Sequence, residues 1–335
     1  IRTTTKIIST MSFLENAKQY TGSDLENIFF RPMLTGESAQ DLGVRVLYNM
    51  PQPTHVQLWD GQRNILQKFT SAGWAGGKAA TKYEKTVNLN RVKAELGFSA
   101  ANYFSMVYEK VSSLVNTHMD DLSGTELEQA ETALFKQALA ENIRVTMWIG
   151  DTSAASGYNT FDGLLKRING LVDDDGVYNF SYQAAALEDP AYVVELFDKL
   201  WAGADPRIPG LKADDRLAYF VSSDIYRLYE KYLDAKGADA AYADAMNGRR
   251  TLAYHGIPVV DVRLGSYLGA TSFRQSFVML TDRRNLVLAV NTADMPGNEV
   301  RMWYNPDEME NRQRAVFMAG TQILDEALIS FAYKQ

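Results

Sequence analysis

The stretch from residue 44 to residue 97 constrains the fold of this chain more than any other. Its polar and apolar residues alternate as in β-strands, and Pro51 and Pro53 interrupt the pattern. Between residues 61 and 100 there are seven Lys or Arg residues and two Glu residues, a local charge of +5. An isolated ribbon of this kind is marginally stable in water because it has too little apolar surface to bury. The sequence therefore predicts a basic, extended arm that must lie on another surface.

Within the arm, the hydrophobic pattern predicts four β segments. Residues 44–48 form a strand, and residues 56–59 pair with residues 63–69 in a hairpin around an Asp-Gly turn. Residues 82–98 are also predicted to be β-structure. The apolar side chains change face near Asn90, which indicates a kink or a bulge in that segment.

A long amphipathic helix is predicted after the arm. Ser123 with Glu126 and Thr125 with Glu128 form two overlapping capping boxes, the pattern that begins many helices. A shorter helix is predicted before them, at residues 102–115. The long helix should run for five or six turns because apolar residues recur at helical spacing behind the caps. They are Leu127, Ala130, Leu134, Ala138 and Ile143.

The region from residue 158 onward alternates helices and strands, as a separate α/β body does. The predicted elements are a helix at residues 192–202, a strand at residues 217–221, a helix capped by Ser223 or Asp224 that ends at Leu233, and a strand at residues 257–262. Residues 276–280 and 285–290 are predicted to pair as a hairpin. Residues 300–333 are predicted to be mostly strand, with breaks at Pro306 and Gly320.

Charge and composition exclude several classes of protein. The net charge is 34 − 41 = −7, whereas dedicated nucleic-acid binders usually carry a basic excess. The chain has no cysteine, which rules out disulfides and thiolate chemistry. No apolar run approaches the roughly 18 residues that a membrane-spanning helix requires. Residues 171–240 hold 14 acidic and 7 basic residues. The basic arm and this acidic body are either complementary docking surfaces or two solvated faces.

No segment carries a convincing catalytic, cofactor-binding or metal-binding motif. Residues 73–79 resemble a phosphate loop but lack its first glycine and the Ser or Thr after Lys78, so a flexible arm tip is the better interpretation. Residues 173–176 lack the ligand spacing of a calcium loop and are read as an acidic turn. The three histidines lack a metal-binding spacing. We therefore predict no catalytic residues, no cofactor and no metal.

The order of these elements resembles that of tailed-bacteriophage major capsid proteins, whose fold is shared with encapsulins. The passage Trp148-Ile149-Gly150-Asp151, followed by Phe161-Asp162-Gly163-Leu164, is similar to the family's hydrophobic-Gly-Asp and Phe-Gly-Leu pattern, with Asp162 as an extra residue. Residues 217–224, 254–260 and 276–288 resemble the strands and turns of the family's axial (A) domain. The resemblance covers nearly the whole chain as an ordered pattern.

The resemblance implies an α+β fold with a defined division of the chain. It consists of an N-terminal arm at residues 1–43, an extended E-loop at residues 44–97, a discontinuous peripheral (P) domain at residues 98–152 and 291–335 with a spine helix at about residues 125–147, and an inserted A domain at residues 153–290. The sequence starts at Ile1 rather than Met. Either upstream residues are omitted or an N-terminal segment is removed by proteolysis, as happens in part of this family.

The function implied by the resemblance is that of a major capsid protein. Such a subunit assembles in the host bacterial cytoplasm into pentamers and hexamers of an icosahedral shell around double-stranded DNA, and is found in the virion. Portal, scaffold and decoration proteins are further implied partners, DNA would be contacted non-specifically, and no membrane partner is expected. Two alternatives stay open: an encapsulin-type compartment shell, and a cytoplasmic α/β enzyme whose site is built from scattered residues.

The basic residues of the arm are the predicted intersubunit contacts. They are Lys68, Lys78, Lys82, Lys85, Arg91 and Lys93. We hypothesise that they lie over the acidic surface of an adjacent subunit, so that charge reversal would impair assembly. In some family members an arm lysine forms an isopeptide bond with an asparagine of a neighbour. By position, the lysines that suit this role are Lys68, Lys78 and Lys82. No partner asparagine can be aligned, so the crosslink is not predicted.

Overall fold

The structure is a computed structural model. It describes residues 18–33, 43–50, 54–59, 82–99, 126–172, 176–236, 252–267, 276–291, 298–305, 307–308 and 310–335. The chain divides into two compact units. The first unit comprises Ile1–Met33, Val92–Ala140 and Thr292–Phe317. The second comprises Leu34–Arg91, Glu141–Asn291 and Met318–Gln335.

Within the described residues, six helical segments are numbered in chain order. They are α1 (Gly22–Asp24, continued by Leu25–Phe30 in π geometry and by Arg31–Met33), α2 (Glu126–Ile149), α3 (Leu164–Leu171), α4 (Tyr192–Ala202), α5 (Ile208–Lys212) and α6 (Ser223–Ala235). Short 3₁₀ turns occur at Ala184–Glu188, Arg283–Asn285 and Glu326–Leu328. None of the described helices is both long enough and apolar enough to cross a membrane.

The strands are likewise numbered in chain order. They are β1 (Lys18–Tyr20), β2 (Arg45–Tyr48), β3 (Thr54–Trp59), β4 (Lys82–Val87), β5 (Asn90–Ser99), β6 (Tyr178–Tyr182), β7 (Leu217–Val221), β8 (Leu252–Tyr254), β9 (Ile257–Asp261), β10 (Phe277–Asp282), β11 (Leu286–Asn291), β12 (Glu299–Asn305), β13 (Glu310–Ile323) and β14 (Ile329–Lys334).

The first unit contains a sheet in which β12 pairs antiparallel with β1 and with β13, while β5 also pairs with β13. Side chains alternate along β13, and Gln313, Ala315 and Phe317 are buried on one face. Helix α2 contacts this face, because Thr132 lies 3.6 Å from the sulfur of Met302, the register partner of Gln313. The sheet thus has one face covered by a helix, as its alternating pattern requires.

The second unit is built on a six-stranded mixed sheet with the order β6-β14-β10-β7-β9-β8. All residues of β7 and β10 are buried, as in sheets packed on both sides. One face packs against helices α4 and α6 through a core that includes Phe197, Tyr219 and Tyr229. On the other face, Trp148 at the end of α2 lies 5.7 Å from the ring of Phe220. This sheet therefore forms the main core of the unit.

A smaller set of strands in the second unit supports the arm. Strand β11 pairs antiparallel with residues 318–323 at the end of β13 and parallel with β2. Strands β3 and β4 form a separate antiparallel ribbon, with Thr54 opposite Val87 and Trp59 opposite Lys82. All six residues of β11 are buried, so this strand provides a firm surface beside the ribbon.

The structure corrects two predicted features of the C-terminal third. The predicted hairpin of residues 276–280 and 285–290 is wrong: β10 pairs with β7 and β14, whereas β11 pairs with β2 and β13. The turn between them is tightened by Asp282, which accepts a hydrogen bond from the backbone N–H of Arg284 and directs the chain into a different sheet. The predicted break at Gly320 is also wrong, because β13 continues through it to Ile323.

The other predicted elements agree well with the structure. Helix α4 and strand β7 have the predicted bounds. Helix α2 runs to Ile149 and is slightly longer than expected. Helix α6 begins after Ser222, one residue earlier than the predicted caps, and Ser223 instead donates a hydrogen bond to Asp261. The break near Asn90 is confirmed as the gap between β4 and β5. The predicted strand 63–69 and helix 102–115 lie outside the described residues.

Candidate functional site

The root of the arm is held on the second unit by a small apolar cluster. Val56 of β3, Val87 of β4 and Leu89 pack together with Val287 and Ala289 of β11. Val87 is fully buried, and Leu89 is 2% exposed. Burial of one such side chain contributes about 1.5–3 kcal/mol. These contacts therefore fix the base of the ribbon with a few apolar side chains only.

The backbone at the root makes a close contact that only glycine permits. A Cβ atom added to Gly320 of β13 would lie 2.2 Å from the carbonyl oxygen of Asn88, far inside the contact distance of carbon and oxygen. Next to it, the side chain of Gln322 donates a 2.8 Å hydrogen bond to the carbonyl oxygen of Thr86. The side chain of Asn90 reaches the carbonyl oxygen of Thr160 at 3.1 Å. Glycine in β13 thus allows the arm to approach the sheet closely.

A polar turn at Glu326–Leu328 receives contacts from three parts of the second unit. Glu326 pairs with Lys85 of the ribbon at 2.7 Å. Asp325 accepts a hydrogen bond from the backbone of Ala327, which caps the turn, and pairs with Arg207 near α5 at 2.7 Å. Asn285 holds the same turn by accepting from the backbone N–H of Asp325 at 2.7 Å and donating to its carbonyl oxygen at 2.8 Å. This turn therefore connects the arm root to the body of the unit.

The predicted contact residues of the arm do not form one cluster. Lys85 forms its ion pair inside the chain, with Glu326. Lys93 lies 2.9 Å from Glu95, and both side chains are more than half exposed. Arg91 is exposed. The backbone of Lys82 pairs with Trp59 at the far end of the ribbon. Lys68 and Lys78 lie outside the described residues.

The passage after the spine helix brings two backbone segments into contact. The N–H of Gly163 donates a 2.8 Å hydrogen bond to the carbonyl oxygen of Gly150. A Cβ atom on Gly150 would lie 2.2 Å from the carbonyl oxygen of Phe161, and one on Gly163 would lie 2.6 Å from the nitrogen of Gly150. Trp148, just before this contact, is fully buried. The motif identified in the sequence is therefore a backbone crossing closed by two glycines.

An ion-pair cluster closes the loop between these glycines. Lys166 lies 2.7 Å from Asp151 and 2.7 Å from Asp162. Hydrogen bonds from Lys166 and then from Ser153 lower the pKa of Asp151 to about 2. Burial acts to raise the pKa of Asp162, but hydrogen bonds from Lys166 and Thr152 outweigh it, and that pKa is lowered as well. The extra residue Asp162 thus anchors the loop electrostatically.

The residues of the polar turn that contact the arm root were not identified from the sequence. Glu326, Asp325 and Asn285 are separated from the arm by about 200 residues or more, so local pattern does not connect them to it. The sequence Asp325-Glu-Ala-Leu328 does carry a capping pattern, which could have indicated the turn but not its partners. Among the residues that the structure describes, no group of three or more Asp, Glu, His or Cys side chains could hold a metal ion.

Comparison with known proteins identifies the fold. No family model and no curated protein sequence matches the chain. A chain in the structure of the satellite phage P4 procapsid including the size determination (Sid) protein has a TM-score of 0.56 and 10% identity, over 91% of this chain and 90% of that chain. A structure of Gordonia phage Cozz has a TM-score of 0.49 and 11% identity, over 89% of this chain and 86% of that chain.

The capsid of an empty GTA particle gives a TM-score of 0.47 at 13% identity, with 90% of this chain and 91% of that chain covered. We base the fold assignment on the P4 procapsid chain, since the other two superpose less well. Its match extends over nearly the full length of both chains. The predicted α+β capsid fold is confirmed: this chain has the fold of phage capsid proteins.

Proposed function

We propose that this chain is a major capsid protein that assembles into the icosahedral head shell of a tailed phage or prophage around double-stranded DNA. The observation that carries the proposal is the full-length similarity in fold to a chain of the P4 procapsid. The sequence, which offers no catalytic or metal-binding motif, is consistent with a structural role. In this proposal the protein is located in the virion after assembly in the host cytoplasm.

The way in which the arm is attached to the subunit supports a role in assembly. Its root is fixed by Val87, Leu89 and the contact of Asn88 with Gly320, but Glu84 and His55 on the same ribbon are exposed. A ribbon that is anchored at one end gains further stability when the rest of it lies on a neighbouring subunit. Because each subunit of a shell makes the same contact, small individual gains add up across the assembly.

The domain division of the family is part of the proposal. It assigns residues 1–43 to the N-terminal arm, 44–97 to the E-loop, 98–152 and 291–335 to the P domain and 153–290 to the A domain. Portal, scaffold and decoration proteins are proposed as further partners. Packaged DNA would be contacted non-specifically and weakly, since the chain carries a net charge of −7.

Negative-stain electron microscopy of the purified protein tests the proposed function. We expect closed shells or rings of five and six subunits, and size-exclusion chromatography should show a corresponding large species. A stable monomer that binds a small molecule would contradict the proposal and favour an enzyme. Shells that co-purify with a protein cargo, and that are encoded beside a cargo enzyme rather than a portal and terminase, would favour an encapsulin instead.

The proposed contact of the basic arm with an acidic neighbour requires a separate test. We choose the charge reversals Lys82→Glu, Arg91→Glu and Lys93→Glu in one variant, and leave out Lys85 because its ion pair with Glu326 helps to hold the arm root. We expect impaired assembly with unchanged helicity of the dissociated subunit. The variant Lys85→Gln serves as a control for loss of the root ion pair. Normal shells from the triple variant would refute the arm contact but leave the capsid function standing.

A further inference from the structure

The sheet of the first unit has a second face whose charges are unevenly matched. Cross-strand partners share a face, and on the face opposite Gln313 the pairs are Arg301 with Arg314 and Trp303 with Arg312. Three arginines therefore lie on one face of two neighbouring strands, and the same face carries Trp303. Arg314 stands 5.8 Å from the centre of the Trp303 ring, a distance at which a cation and an aromatic face attract each other.

The carboxylates near this face are occupied by two of the three arginines. Glu299 accepts from Arg314 at 2.6 Å with one oxygen and from Gln19 at 2.6 Å with the other. Arg312 pairs with Glu308 and, at 3.5 Å, with Glu310. These contacts leave no carboxylate of the face for Arg301.

Arg301 is thus the unmatched charge of this surface. Within the described part of the chain it has no ion pair, and its Nε atom is buried without a hydrogen-bond partner. Two like charges placed directly opposite each other on neighbouring strands repel, and Arg301 faces Arg314. A buried donor without an acceptor also costs free energy. A carboxylate from outside the subunit would offset the repulsion by pairing with the terminal nitrogens of the Arg301 guanidinium.

The balance of charge on this face indicates which kind of partner fits. Arg301, Arg312 and Arg314 are accompanied by Glu299, Glu308 and Glu310, so the face as a whole is neutral. A nucleic acid binds surfaces with an excess of positive charge, and three carboxylates would repel its phosphates. A protein surface that offers a single carboxylate fits better. Such a carboxylate can pair with the guanidinium of Arg301 without lying close to the three glutamates of the face.

The chain itself supplies such a surface. Residues 171–240 hold 14 acidic and 7 basic residues. In the described part of that segment, Glu188, Glu195 and Asp215 are exposed. We propose that Arg301 binds an exposed carboxylate in the described part of residues 171–240 of a second copy of this chain, at a site that Trp303 and Arg314 flank. This inference rests on the proposed shell function and names one of its intersubunit contacts.

Assembly of Arg301 variants tests this contact. We compare Arg301→Glu, Arg301→Gln and Arg301→Lys with the unmodified protein by sedimentation over a range of concentrations. Arg301→Glu should raise the concentration needed for assembly at least roughly tenfold, because the loss is repeated at every symmetric contact. Arg301→Gln should have a smaller effect, and Arg301→Lys should assemble because it keeps the charge. Arg284→Glu, at an exposed arginine of the second unit, makes the same change in net charge and should assemble normally.

A carbodiimide crosslink in shells of Arg301→Lys identifies the partner. Mixed shells of light and heavy isotope-labelled subunits should yield light–heavy peptide pairs that join residue 301 to an acid in residues 171–240. Normal assembly of Arg301→Glu, equal loss in Arg284→Glu, or crosslinks only to other regions would overturn the contact. So would a variant that forms normal empty shells but fails to retain DNA. If the unmodified protein forms no shells, the proposed function fails before any variant is compared.

Discussion

The six-stranded sheet of the second unit and the ribbon β3–β4 belong to the same unit but are stabilised in different ways. The sheet is covered on both faces, by α4 and α6 on one side and by Trp148 on the other. In the ribbon, of the six side chains that the structure describes, Val56 and Val87 alone are buried. The six-stranded sheet thus has a complete hydrophobic core, whereas few described side chains of the ribbon are buried.

This difference explains what each region contributes. The strands β7 and β10 are specified by apolar side chains along their whole length, so their pairing is fixed within the subunit. Among the described residues, the base of the ribbon is fixed by the apolar cluster around Val87, by the contact of Asn88 with Gly320 and by a few polar pairs, such as that of Lys85 with Glu326. The described anchors of the ribbon thus lie at its base, which suits the proposed contact of the rest of the ribbon with a neighbour.

The largest effect is expected from opening the core of the sheet. Trp148→Ala should lower the free energy of unfolding of the subunit by about 3–5 kcal/mol, because it removes a fully buried ring that packs on Phe220 and Phe277. Urea denaturation followed by circular dichroism measures this loss. Trp148→Phe keeps most of the apolar contact and should cost clearly less. Equal losses in the two variants would contradict the assigned packing.

A smaller effect is expected at the root of the arm. Gly320→Ala places a Cβ atom against the carbonyl oxygen of Asn88 and should cost about 1–3 kcal/mol, as overpacking does. Faster hydrogen exchange of the amides at residues 86–89 should accompany the loss. Gly210→Ala is the matched control, because a Cβ atom there meets no atom within 4 Å. It should be neutral or stabilising by about 0.4–1 kcal/mol. Unchanged exchange in Gly320→Ala would show that the arm is not held there.

The ion pair of Lys85 with Glu326 should contribute less again. Both side chains are 38% exposed, and exposed pairs are typically worth about 0.2–1 kcal/mol. A double-mutant cycle with Lys85→Gln and Glu326→Gln measures the coupling energy. It should weaken further at high salt because the pair is accessible to ions. A coupling well above this range would mean that the arm root depends on charge rather than on packing.

The smallest effect is expected from acid titration of the loop between the two glycines. The pKa of Asp151 is lowered from 3.8 to about 2, so its ionised form stabilises the folded state above about pH 4. This contribution should fall as the pH is lowered from about 4 to about 2. Stability measured across that window should be less pH-dependent in Asp151→Asn. Lys166→Gln should reduce the dependence as well, since Lys166 bonds to the same carboxylate. An unchanged slope in both variants would exclude this loop as its source.

The elements predicted best from the sequence are those in which the order of apolar and polar residues follows directly from which side chains are buried. Helix α4 has an apolar stripe on one side and β7 is apolar throughout, and both have the predicted bounds. The order of elements and its resemblance to capsid proteins likewise predicted the fold. In these parts, local preference and tertiary packing favour the same structure.

The predictions that failed concern partners distant in the sequence. Two apolar runs separated by a four-residue turn suit a hairpin, but β10 and β11 join different sheets because Asp282 tightens the turn and remote strands offer better partners. Gly320 looked like a break in a strand, whereas it permits the approach of Asn88, 232 residues earlier. The contact of Glu326 with Lys85 depends on the same long-range pairing. A local pattern does not contain this information.

The crossing of Gly150 and Gly163 has a consequence for how far sequences of this fold can diverge. Most core positions accept another apolar residue of similar size after small adjustments. Here a side chain on either glycine would meet backbone atoms, which cannot be exchanged by mutation. Neither position can therefore vary unless the crossing itself is rebuilt. In this chain, the two glycines should therefore tolerate fewer substitutions than positions of the hydrophobic core.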